Sequence, residues 1–276
     1  MRLILVTDSH LAPSVPPCNE NWAAAKAFAR DAGADLTVHL GDITLDGTED
    51  PRQHDWALKE SADWPTALRF LPGNHDIGDN PPGPGVAAKQ PLRLDQLARY
   101  RRGFGSDYWA LDAAPWRLIG LNAQLFGSAS AAEAEQWAWL GASLAEARGR
   151  PLALLLHKPL FLDDPADARP HIRYLPQPQR RWLLELLAPH DLRLVLSGHA
   201  HQYLDRVLDG VRHIWLPSTA FIIPDAMQER IGDKVTGLGV LDLEADGNHR
   251  FALVTPQGMA QHRLDDAAFA GVSAKR

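Results

Sequence analysis

The chain has 276 residues, 45% hydrophobic and 22% charged, with a formal net charge of −6. That size can bury a full core in one large domain or at most two, and an acidic chain without a Lys/Arg run is poorly suited to gripping a long nucleic acid by its backbone. Its one cysteine, Cys18, excludes an intramolecular disulfide and thiolate-rich metal sites, and it reads as an ordinary free thiol. No apolar stretch approaches the roughly 20 residues that span a bilayer. Residues 1–7 are too short for a signal peptide, and cleavage after a longer leader would remove Asp8 and His10, so a cytoplasmic protein with no membrane partner is expected.

In chain order, residues 2–7 form a short apolar run that suits a buried strand. Residues 22–32 are Ala-rich with helical spacing, and Gly33 is placed to end that helix. A second strand is expected over 35–40, a helix over 51–64 with Pro51 in its first turn, and a third strand over 67–71. Strand–helix–strand alternation of this kind implies a parallel sheet. Strands over 108–111 and 117–121 precede a long helix over 131–148. A strand over Leu152–Leu156, a helix over Gln179–Leu187 and a strand over 192–196 follow. Short strands over 211–216, Leu238–Leu243 and His249–Val254 read as a meander. Residues 1–264 read as one domain and 265–276 as a loose tail. Two stretches rich in Pro with Gly or Asp, 78–91 and 161–179, have the character of active-site loops.

Five polar clusters stand where apolar runs end: Asp8-Ser9-His10, Gly41-Asp42, Gly73-Asn74-His75-Asp76, His157 and Gly198-His199-Ala200-His201. Each is weak alone, since Gly-Asp is usually a turn and a lone His is usually packed or solvated. Their order matters more, because in open α/β sheets ligands bind beyond the carboxyl ends of the strands. In extended backbone, residues two apart project to the same side, so Asp8 with His10, and His199 with His201, can each reach a common site. Carboxylate, imidazole and amide oxygen suit Mn²⁺, Fe²⁺/Fe³⁺, Zn²⁺ or Co²⁺.

The ordered set D-x-H, G-D, G-N-H-D, H, G-H-x-H resembles the calcineurin-like metallophosphoesterases over residues 8–201. That resemblance implies an α/β fold, a four-layer α/β/β/α sandwich of two mixed β-sheets flanked by helices. It implies two divalent or mixed-valence metal ions, one held by Asp8, His10, Asp42 and His201, the other by Asp42, Asn74, His157 and His199, with Asp42 bridging. A hydroxide bridging the ions would attack phosphorus. Two divalent ions, two carboxylates and one hydroxide leave about +1 for an incoming phosphate diester. His75 is implied as a catalytic residue that is not a ligand, with Asp76 of the same motif in a catalytic or loop-positioning role. Relatives often carry a second Asp three residues after the bridging one to orient that histidine; here the position is Leu45, with Asp46 one step later.

Within the family the chain is most similar to the bacterial class III cyclic nucleotide phosphodiesterases and glycerophosphodiesterases. A small phosphate ester is therefore the expected partner, a diester first and a monoester second. A DNA nuclease would need a basic surface that the sequence lacks. A metal-binding scaffold without catalysis would be expected to lose ligands, yet all seven are present. Arg93, Arg169, His171, Arg173 and Tyr174 lie in or near the two loops, within reach of substrate or simply solvated, and the sequence assigns no substrate-binding residue. Trp137 and Trp139 are expected to be packing residues. A homo-oligomer is compatible with all of this.

Overall fold

The computed structural model describes residues 1–273. Its first sheet joins β1 (Arg2–Val6), β2 (Leu36–His39) and β3 (Ala67–Phe70) in parallel. Antiparallel strands β10 (Leu238–Leu243) and β11 (His249–Val254) extend it beyond β1. The second sheet has the order β4-β5-β6-β7-β9-β8. It comprises β4 (Trp109–Ala113), β5 (Trp116–Leu121), β6 (Leu152–Leu156), β7 (Leu192–Ser197), β8 (Leu204–Leu208) and β9 (Val211–Trp215). Pairing is parallel from β5 through β6 and β7 to β9, with antiparallel edge strands β4 and β8.

Strand periodicity explains the layers. Leu3 and Leu5 of β1 meet Leu118, Ala153, Leu155, Leu194 and Leu196 of the second sheet between the two sheets. The alternate residues Ile4 and Val6 face outward onto Trp22, Ala25, Ala57, Leu97 and Tyr100. These come from α1 (Pro16–Asp31), α2 (Arg52–Ser61) and α4 (Leu94–Phe104); a one-turn helix α3 (Asn74–Ile77) lies among the clusters. Likewise Leu152, Leu154 and Leu156 face Leu140 and Leu144 of α5 (Ala131–Ala147) and Leu183 and Leu187 of α6 (Gln179–Leu187). Strands covered on both faces read as unbroken apolar runs, and the result is the expected α/β/β/α sandwich. The Ser130 hydroxyl caps α5 by accepting from the Glu133 N–H (3.2 Å).

Several elements depart from the sequence reading. Helix α1 starts at Pro16, six residues before the expected start, with proline in its first turn where the missing N–H costs nothing. Helix α4 and edge strand β8 carry no sequence expectation. Within residues 265–273, expected as a loose tail, Ala267–Phe269 makes a 3-10 turn and Ala270–Ser273 a short helix, α7. Phe269 is fully buried against Phe221, so this segment closes the cluster beneath the candidate site. The end of the expected tail, 274–276, lies outside the described residues. Trp137 and Trp139 pack against Phe126 and Tyr108, as expected of packing residues.

Candidate metal centre

The five clusters do follow five strand ends, but they converge from two sheets. Asp8, Asp42 and Asn74 follow β1, β2 and β3 of the first sheet; His157 and His199 follow β6 and β7 of the second. The expectation that residues two apart align through extended backbone is not met. Asp8, His10, Asp42, His199 and His201 all have left-handed backbone, with φ of 52°, 45°, 52°, 63° and 53°. The chain turns sharply at the strand end and aims both members of each pair inward. Left-handed backbone costs roughly 1–2 kcal/mol per non-glycine residue, on the order of 5–10 kcal/mol for five, which rivals the net stability of a whole domain. Asp and His tolerate it better than most residues, and outliers of this kind cluster at functional sites.

Tight hydrogen bonds hold these turns. Asp8 N–H donates to Gly41 O (2.9 Å), His10 N–H to Asp42 O (3.1 Å) and Leu11 N–H to Ile43 O (2.7 Å). The Ser218 hydroxyl donates to Asp8 O (2.8 Å), and Asp8 Oδ2 accepts from Thr7 Oγ1 (2.6 Å) and from His199 N–H (3.0 Å). Glycine precedes the ligand-type residue where loops touch. A Cβ on Gly73 would collide with the Asp42 backbone and carboxylate, and one on Gly198 would collide with the Thr7 hydroxyl.

Seven residues predicted as ligands come together. Asp8, His10 and His201 form one buried group, and Asp42, His157 and His199 another, each with candidate ligand atoms within 4.8 Å of one another. The Asn74 side-chain oxygen lies 3.3 Å from His157 Nε2. The groups adjoin through Asp42, which also falls within 4.8 Å of His10 and His75.

The ring tautomers show what the site is built to hold. A carbonyl oxygen only accepts, so a ring nitrogen facing one carries the proton. His157 Nδ1–H donates to Leu40 O (2.9 Å), His201 Nδ1–H to Phe221 O (3.1 Å) and His199 Nε2–H to Ile172 O (3.1 Å). Lone pairs are left on His157 Nε2, His201 Nε2 and His199 Nδ1. Yet His157 Nε2 sits 3.1 Å from His199 Nδ1 and 3.3 Å from Asp42 Oδ2. His201 Nε2 sits 3.1 Å from His10 Nε2 and 3.3 Å from Asp8 Oδ1, a buried oxygen with no hydrogen-bond donor. With both rings neutral, His157 Nε2 and His199 Nδ1 face each other as acceptors beside the Asp42 carboxylate, and a proton or a metal cation between them satisfies that arrangement. The donor set fits two such cations, and outer contacts to backbone carbonyls are the usual support of metal-binding imidazoles.

The electrostatics agree. Burial disfavours charge on His157, but Asp42 overrides it and holds the imidazolium up to about 9, a proton standing where a metal ion would bind. Asp42 stays well below the usual carboxylate range, because His157, His75 and His10 outweigh its burial. His199 is pushed well below its ordinary value by burial, by His157 and by Lys158, which leaves it neutral and ready to ligate.

His75 and Asp76 part company here. His75 N–H donates to Asp42 Oδ1 (2.9 Å), its Nε2 lies 4.0 Å from Asp42 Oδ2, and its ring meets His10 edge-on. Its Nδ1–H donates to the Leu45 carbonyl at 2.7 Å. Leu45 thus helps to orient His75 through its main-chain carbonyl. Asp76 is fully buried and accepts from Ile43 N–H (3.2 Å), Thr44 N–H (2.9 Å), Thr44 Oγ1 (2.7 Å) and Gly73 N–H (2.8 Å). Burial and Asp42 push its carboxyl up to about 6, against those four donors. Of the two roles expected for Asp76, its contacts build only the positioning one, tying the Asp42 loop to the Asn74 loop.

Several supporting groups carry no signal in the sequence. His39 is buried, and burial pushes its pKa down to about 3; it accepts from Gly41 N–H (3.2 Å), so its other ring nitrogen donates to Ser9 Oγ (2.8 Å). Phe221 stacks on His10 with ring centres 5.0 Å apart. Arg169, His171, Arg173 and Tyr174 line a cavity of about 460 Å³, whereas Arg93 instead pairs with Asp95 (2.9 Å).

A sandwich whose strand ends gather two carboxylate–imidazole groups around a shared Asp defines a metal-dependent hydrolase of phosphate esters. Residues 1–203 match the calcineurin-like phosphoesterase family, and the chain belongs to it. It is 31% identical to the 3′,5′-cyclic adenosine monophosphate phosphodiesterase CpdA of Escherichia coli, over 98% of this chain and 92% of that protein. A probable cyclic nucleotide phosphodiesterase of Synechococcus is 27% identical over 91% of this chain and 90% of its own. In fold it is similar to a dimetal phosphatase from Danio rerio, with a TM-score of 0.58 and 16% identity over 87% of this chain and 92% of that one. Among the described residues no helix is long and apolar enough to cross a membrane.

Proposed function

We propose that the protein is a dinuclear metal-dependent phosphodiesterase acting on a cyclic nucleotide or a comparably small phosphodiester. The observation that carries this is the pair of buried carboxylate–imidazole groups that adjoin at Asp42. Asp8, His10, Asp42 and His201 would hold one ion, and Asp42, Asn74, His157 and His199 the other. When bound, two such ions supply a clamp on phosphate oxygens and acidify the water that attacks in line. Asn74 contributes a ligand without negative charge, which keeps the centre attractive to an anion. His75 presents Nε2 to the same space, with Nδ1–H committed to Leu45 O, so in its imidazolium form it would stabilise or protonate the leaving oxygen from Nε2. Asp76 holds the two loops in register.

The names of the curated relatives favour a cyclic nucleotide, and the acidic chain favours a small substrate over a long nucleic acid. Residues 1–264 are taken as the catalytic domain, in a cytoplasmic enzyme. The metal pair is drawn from Mn²⁺, iron, Zn²⁺ and Co²⁺. A panel of cyclic nucleotides, glycerophosphodiesters, dinucleotides and monoesters, run on Mn²⁺-loaded protein and again after chelation, tests the proposal. Metal-dependent turnover of a small diester is expected. Turnover confined to monoesters, or none with any of these metals, would sink it.

A further inference from the structure

Directly after His157 stands a lysine whose part so far is only its charge beside His199. Lys158 is fully buried, and its ammonium donates to Asp79 Oδ1 (2.5 Å) and to Asn80 Oδ1 (2.7 Å). Burying an ion pair rarely gains stability, since apolar residues of similar volume often do as well or better. Its value is more often positional, and the contacts that radiate from this pair lead to one place.

One arm runs through Gln124, which is also fully buried. With its amide turned to satisfy both ends, the nitrogen donates to Asp79 Oδ1 (2.9 Å) and the oxygen accepts from Asn74 N–H (3.2 Å). The other arm follows the 78–91 loop that Asp79 and Asn80 begin. Pro82 O accepts from His171 N–H (3.1 Å), and Gly83 packs on Pro170 so closely that a Cβ would come within 3.0 Å. One residue further, Ile172 O accepts from His199 Nε2 and fixes the tautomer of that ring. Both arms therefore end on Asn74 and His199, and the anchor is covalently next to His157. Between these end points and the other half, His199 N–H donates to Asp8 Oδ2 (3.0 Å), a main-chain bond that does not involve the ring that would ligate.

We propose that Lys158 and Asp79 are positioning residues for the Asn74–His157–His199 half of the centre, and that their ion pair sets how tightly that half holds its cation. This rests on the two-metal reading above. The test is calorimetric titration with Mn²⁺ and elemental analysis after dialysis, on wild type, Lys158→Met, the charge-free double variant Lys158→Met/Asp79→Asn, and Gln124→Leu. Wild type should take up two ions. In Lys158→Met and in the double variant one ion should weaken about 10- to 100-fold, the range typical of outer contacts to metal ligands, while the other keeps its affinity. Gln124→Leu cuts a single arm and should shift the same ion by less; it carries the test if the charge variants do not fold. Adding His10→Ala to Lys158→Met should then abolish the remaining tight ion, whereas adding His199→Ala should leave it. Wild-type affinities in all folded variants, or equal weakening of both ions, would overturn the inference alone. Fewer than two ions in wild type would overturn the two-metal reading with it.

Discussion

The two halves of the metal centre are held in different ways. Asp8, His10 and His201 are buried among groups that belong to the core: Thr7, Ser218, the Phe221 ring and carbonyl, and behind them Val15, Leu264 and Phe269. In the other half, His157 is anchored to the carbonyl of fully buried Leu40, but His199 depends on a segment nearer the surface. His199 owes its tautomer to the carbonyl of Ile172, a residue 58% exposed on the 161–179 loop. Core packing resists local opening, whereas loops open at a fraction of the global free energy. The same chemistry thus has one rigid wall and one adjustable wall, and the adjustable one adjoins the cavity of Arg169, His171, Arg173 and Tyr174.

The largest expected effect erases the difference. Asp42 serves both halves, so Asp42→Ala should remove both ions and lower turnover by at least about 10³-fold, as loss of a shared metal clamp implies; retention of one tight ion would show that the halves are independent. A smaller effect belongs to neither half. His75→Ala should keep two ions while kcat falls by roughly 10²–10⁴-fold, the usual contribution of a positioned acid or base. Elemental analysis decides this, because a missing ion in that variant would make His75 a ligand.

The mildest test loosens the adjustable side without touching the centre. His213 of β9 packs edge-on against Phe161, where the 161–179 loop begins. Burial, assisted by the nearby Arg206 charge and opposed by Asp209, pushes its pKa down to about 4. The folded state keeps this ring neutral while the unfolded chain protonates near the ordinary value of about 6.5. Stability is thus fully present above about 6.5 and is lost as the pH falls toward 4, by on the order of 3 kcal/mol. Urea unfolding at a series of pH values should show that slope in wild type and a shallower one in His213→Gln. Equal slopes would mean that His213 is not the group responsible.

Much of this was legible because the ligand-type residues interrupt apolar runs, and the interruption marks a strand end whichever sheet holds the strand. What stayed hidden was direction. A sequence reading of Asp8/His10 and His199/His201 assumes that the strand continues, whereas the chain turns left-handed at each ligand. Helix α4 has apolar residues at 94, 97, 100 and 104, a helical spacing obscured by the Pro-rich loop before it and the arginines within it. Strand β8 lies at an edge and is only half-buried, so it lacks the apolar run that betrays a central strand. Lys158 follows a predicted ligand, but a lysine in sequence reads as solvated, and only packing against Asp79 and Asn80 reveals it as buried. Residues 217–221 carry no motif and reach the centre by the Ser218 hydroxyl and by the carbonyl and ring of Phe221.

The hold on His75 by the Leu45 carbonyl has a consequence for inheritance. A side-chain partner can be deleted by one codon change, but a carbonyl survives any replacement at position 45 that keeps the backbone path. The orientation of His75 is thereby shielded from point mutation, and alignments of side chains would pass over the atom responsible.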